Sequence, residues 1–123
     1  MRNFKEYDIW IDSMKIATSI YDICSTFPDN EKYGLISQMK RASVSVPSNI
    51  AEGSAKTSTK DFLRFLEISL GSCYELETQL ELSCSFKFIS IERYKVIRAE
   101  IISLQKRISG LIQSLKKSNA NVD

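Results

Sequence analysis

Residues 7–24 read YDIWIDSMKIATSIYDIC, and within them Tyr7, Trp10, Met14, Ala17, Tyr21 and Cys24 step by 3-4-3-4-3. That spacing places six apolar or amphipathic side chains on one face of an α-helix. A second stripe, Ile9, Ile16, Ile20 and Ile23, continuing to Phe27, lies about 120° round the same helix at 100° per residue. The apolar arc therefore approaches half of the circumference, more than one bundle core covers. We expect the Tyr7-to-Cys24 seam to face the core. The isoleucine stripe and Phe27 should then form an interface with further copies of the chain, where burial stabilises by roughly 25 cal/mol per Å². Phe27-Pro28-Asp29-Asn30 ends the pattern with turn chemistry.

Three more stretches repeat the helical period. Leu35, Met39, Ala42, Val46, Asn49 and Gly53 mark a second helix, with Pro47 inside it. Proline has no N–H and removes the bond to the Ser43 carbonyl, so a kinked second helix is predicted. A third helix opens at Ser58, with Asp61 three residues on as in a capping box, and runs through Phe62, Leu66, Ser69, Cys73, Leu76 and Leu80. Leu63, Leu70 and Tyr74 flank that seam and join the expected interface between copies. After the connection Ser85-Phe86-Lys87-Phe88, Ser90 reads as the N-cap of a fourth helix carrying Tyr94, Ile97, Ile101, Leu104, Ile108, Leu111 and Leu115. Residues 118–123 read as a polar, frayed tail. Short connections favour antiparallel neighbours, which gives an all-α, up-down-up-down four-helix bundle. The 123 residues suit one domain spanning the chain.

Composition narrows the functional classes. Charged residues are 26% and the apolar set 43%, the proportions of an ordinary folded domain. No apolar run is long enough to span a bilayer, and acids interrupt the start MRNFKEYDIWID before a signal-like stretch develops, so no membrane partner and a cytoplasmic location are expected. Cys24, Cys73 and Cys84 are odd in number and form no CxxC pair, which speaks against a disulfide framework or a zinc cluster. All three fall on or beside apolar seams, and there is no histidine to activate a thiolate. Without a glycine-rich phosphate loop either, the reading is that the chain is no enzyme and holds no cofactor or metal. Glu75, Glu77 and Glu81 read as ion-pair partners of adjacent helices or of neighbouring copies rather than as acid/base or metal groups.

The net charge is only +2, yet from Lys87 onward eight basic residues (Lys87, Arg93, Lys95, Arg98, Lys106, Arg107, Lys116 and Lys117) meet three acids (Glu92, Glu100 and Asp123). Lys95, Lys106 and Lys117 recur every eleven residues, which aligns them about 16 Å apart on the side of the fourth helix away from the core. Arg98 and Lys116 flank that line. In one subunit such a line is most often a solvated face. Repeated around an oligomer it becomes a band able to hold RNA or DNA weakly, without reading sequence. Asn49 stands where leucine is expected. With Arg41, Glu52 and Arg64 it either fixes register, as buried asparagines do in coiled coils, or forms a docking surface at the Pro47 kink. Gly71 inside the third helix suggests close helix contact.

The segments Phe27-Pro28, Tyr33-Gly34-Leu35, Arg41-Ala42, Ser45-Val46-Pro47-Ser48-Asn49-Ile50-Ala51-Glu52-Gly53, Arg64-Phe65-Leu66, Gly71-Ser72 and Glu75-Leu76-Glu77-Thr78-Gln79-Leu80 resemble the four helix bundle protein family. That family is also called the 23S rRNA intervening-sequence protein family. The resemblance implies a bundle whose copies form a ring, usually a pentamer. It also implies a distant relation to accessory proteins of diversity-generating retroelements, which bind a reverse transcriptase and nucleic acid. Tyr7, Lys56 and the cysteine-serine run at Cys84 depart from the family pattern. Two functions follow as expectations: a ring-shaped scaffold with weak nucleic-acid binding, or a protein-only assembly module that docks a partner polypeptide.

Overall fold

The computed structural model describes the backbone of residues 2–122 and the side chains of residues 2–119. Four helices follow a short 3-10 turn at Phe4–Glu6: α1 (Asp8–Cys24), α2 (Leu35–Ser54), α3 (Thr59–Ser85) and α4 (Ile91–Val122). No strand occurs among the described residues, so the all-α reading holds. Local chemistry sets the boundaries. Ser58 accepts a bond from the Asp61 N–H at 3.1 Å and starts α3, and Ser90 accepts from the Arg93 N–H at 3.2 Å and starts α4. The α3 end is a Schellman motif: the Phe88 N–H bonds the Ser83 carbonyl and the Lys87 N–H the Cys84 carbonyl, with Lys87 left-handed at φ 63°. Helix α4 extends to residue 122, so the backbone of the segment expected to fray is helical that far; position 123 lies outside the described residues.

Cross-helix contacts fix the topology. Ser69 Oγ donates to the Val46 carbonyl, Ser45 Oγ meets Ser72 Oγ, and Ser83 Oγ reaches Met39 Sδ, so α2 and α3 run antiparallel. Gln105 meets Glu77 and Arg98 meets Glu81, which makes α3 and α4 antiparallel as well. Arg107–Asp12 and Arg93–Asp22 set α4 antiparallel to α1. Tyr21, late in α1, stands under Lys40, early in α2. The result is the up-down-up-down square, with α1/α3 and α2/α4 as diagonals whose backbones do not touch among the described residues. Helix α2 passes through Pro47 as one helix.

The core differs from the sequence reading in one respect that matters for function. Ile9, Ile16, Ile20, Ile23 and Phe27 are buried, Ile20 completely, whereas Met14 and Tyr21 are 44% and 46% exposed. The two stripes of α1 exist as expected but their roles are exchanged. The isoleucines form the narrower line, and their far flank carries Asp12 and Asp22, which pair with α4. That line therefore points between α2 and α4, into the bundle. Of the expected α1 seam only Cys24 is buried. Helix α2 buries Ile50 where Asn49 was expected, because Ile50, eleven residues after Met39, falls within about 20° of it. The α3 seam is as predicted, and α4 buries Ile97, Ile101, Leu104, Ile108 and Ile112.

Small residues bring α2 and α3 together. A Cβ on Gly53 would meet the Phe65 Cβ at 2.7 Å, so only glycine fits there. Gly71 has nothing within 4 Å, and the close helix contact expected at that position is absent.

Candidate interaction surfaces

The stripe of α1 excluded from the core forms one wall of an open groove. Trp10, Met14, Ala17 and Tyr21 face Val44, Pro47 and Ala51 of α2 across a volume of about 630 Å³, with Thr18 and Ser48 as its polar members. Phe4 closes one end, its ring edge-on to Trp10 at 5.2 Å, and the Lys40 ammonium covers Tyr21 at 4.8 Å towards the other. Val44 and Ala51 escaped the sequence reading, which took Pro47 as a kink and not as part of an apolar face, although the spacing of three and four through Val44, Pro47 and Ala51 was available to it.

The residues predicted to join copies are therefore elsewhere. Ile9, Ile16, Ile20, Ile23 and Phe27 belong to the core, as does Leu63 at 8% exposure, and Leu70 packs against it. The buried ones are spent on the subunit's own packing, while Leu70 stays partly exposed. Tyr74 is the most exposed of them, at 52%, beside Ile102 and Lys106 on the α3/α4 side.

The basic excess of α4 divides in two. Arg93 and Arg107 bond Asp22 and Asp12 of α1 at 3.2 and 2.7 Å. Arg98 reaches Glu81 at 3.2 Å and Glu77 at 3.9 Å, and Lys116 reaches Glu67 at 3.9 Å, all on α3. Arg98 and Lys116, expected to contact nucleic acid, are thus committed in part to holding α4 on α3. Tyr94 donates to Glu81 in the same network, and that bond pushes its hydroxyl pKa up. These pairs are exposed or half-exposed, and each contributes between zero and about 1 kcal/mol. Lys95, Lys106 and Lys117 are exposed and form no salt bridge among the described residues, so the aligned row carries the free charge.

The four polar positions near Pro47 do not converge. Asn49 is half-buried and donates to the Ser45 carbonyl at 2.8 Å and to Ser45 Oγ at 3.0 Å; Ser45 in turn bonds Ser72 of α3 at 2.8 Å. This small polar clasp links α2 to α3. Arg41, Glu52 and Arg64 are exposed, and Arg64 lies over the Phe65 ring. Cys73 is buried, which pushes its thiol up to about 12, and burial raises Cys24 too. Among the described residues no group of three potential metal ligands occurs, and no helix is long and apolar enough to cross a membrane.

The structure is thus a square four-helix bundle with an outward apolar groove between α1 and α2. Residues 5–110 match the sequence model of the 23S rRNA-intervening sequence protein family, and the chain belongs to that family. A crystal structure of a protein of unknown function from the S23 ribosomal protein family of Bacteroides thetaiotaomicron is similar, with a TM-score of 0.79 and 26% identity. The similarity covers 85% of this chain and 97% of that one. No curated protein matches the chain.

Proposed function

We propose that this chain is a non-enzymatic scaffold that assembles with copies of itself through the α1/α2 groove. The observation that carries the reading is the second stripe of α1: Met14 and Tyr21 are nearly half exposed and line up with Val44, itself 43% exposed, along one apolar face. Removing such a face from water stabilises association by roughly 25 cal/mol per Å². Symmetry lets a single patch serve every subunit. A ring of five is the form the family resemblance implies. Light scattering at micromolar concentration tests the reading: the parent is an oligomer, and Met14→Glu with Tyr21→Glu gives a helical monomer. A parent that stays monomeric throughout overturns it and leaves the groove to a different polypeptide.

A second reading has its own observation, the exposed row Lys95, Lys106 and Lys117, which forms no salt bridge among the described residues. Set on each copy of an assembly, it would hold RNA or DNA weakly and without sequence preference.

A further inference from the structure

The Trp10 end of the groove is already covered by the chain itself. Residues 2–7 precede α1 as a short strap whose 3-10 turn buries none of its residues. Its anchors lie at the other side of the molecule's end: Arg2 Nη1 donates to the Lys56 carbonyl at 2.6 Å, just past the α2 terminus, and the guanidinium sits 4.4 Å above the Phe62 ring. Between anchor and helix the strap lays Phe4 edge-on against Trp10, inside the groove lining.

We propose that this strap is a displaceable cover: Phe4 occupies the place on Trp10 that an incoming apolar side chain would take, and Arg2 latches it. Three observations support displacement without loss of the fold. Of the strap only Tyr7, the residue that leads into α1, packs against the core, Phe4 itself is only half-buried, and one hydrogen bond plus one cation–π contact hold Arg2. Apart from Phe4, every residue that lines the groove belongs to α1 or α2. The competing side chain belongs to a second copy, so this part of the inference rests on the self-association reading. The cover itself does not.

Trp10 is the only tryptophan, which makes the test direct. Arg2→Ala and Phe4→Ala are compared with the parent by Trp10 emission, acrylamide quenching, binding of an anilinonaphthalene sulfonate dye and light scattering over a concentration series, with helicity checked by circular dichroism. Both variants keep their helicity, shift Trp10 emission to the red, quench more readily and bind more dye. If the strap is closed in about nine chains of ten, releasing it also tightens self-association about tenfold. Unchanged emission and quenching in both variants overturn the cover. Weaker association in both, with Trp10 exposed, overturns the competition and makes Phe4 part of the interface. Monomers in every case, with Trp10 still responding, uphold the cover and overturn self-association instead.

Discussion

Gly53 of α2 stands so close to Phe65 of α3 that a Cβ on the glycine would lie 2.7 Å from the Phe65 Cβ, with Phe62 at 3.1 Å behind it. Gly53→Ala must push the two helices apart and is expected to destabilise by about 1–3 kcal/mol, the usual cost of overpacking. Gly71→Ala and Gly110→Ala have open space in the monomer and should stabilise by up to about 1 kcal/mol through helix propensity. Urea denaturation of the three variants separates these signs. If Gly71→Ala instead weakens assembly, a neighbouring copy approaches there.

The exchanged stripes of α1 predict opposite phenotypes for two neighbouring positions. Ile20 is completely buried, and Ile20→Ala should cost about 2–4 kcal/mol of unfolding free energy. Met14→Glu, on the exposed stripe, should leave the thermal transition of the monomer within about 0.5 kcal/mol of the parent while lowering the oligomer fraction. Equal destabilisation by both would contradict the placement of the core.

Lys87 adopts φ 63° at the C′ position of α3, a conformation that costs a side-chain-bearing residue about 1 kcal/mol and glycine almost nothing. Lys87→Gly should therefore raise stability by about 0.5–1 kcal/mol, measured by chemical denaturation, with the Phe88 to Ser83 bond retained.

Burial holds the Cys73 thiol up at about 12, against 9.0 for the free group. The folded state thus keeps its proton where the unfolded chain has lost one. Stability from this group is complete below pH 9 and is lost as pH rises from about 9 towards 12. Denaturation midpoints across that window should fall for the parent and fall less for Cys73→Ala. Identical slopes would remove Cys73 as the cause.

For nucleic acid, Lys95→Glu, Lys106→Glu and Lys117→Glu together should abolish binding of labelled single-stranded RNA and duplex DNA at low salt, and the parent's binding should fall steeply as salt rises. Arg98→Ala should act mainly on stability, because its partners Glu77 and Glu81 lie on α3. Parent and triple variant binding alike would reduce the row to a solvated face.

Four helices, their caps at Ser58 and Ser90 and the α3 seam were legible in the sequence because period and capping are local. The sequence alone also showed that α1 carries more apolar surface than one core can take. It could not say which stripe faces inward. That depends on where α2 and α4 lie around α1, which Arg107–Asp12 and Arg93–Asp22 on one flank and Val44, Pro47 and Ala51 on the other decide together. In the same way, the basic residues after Lys87 are countable in one dimension, but the division of the seven on α4 into a paired flank and a row without salt bridges among the described residues needs the acids of α1 and α3 brought alongside. Periodicity is a property of one helix, whereas burial and charge compensation are properties of helices side by side.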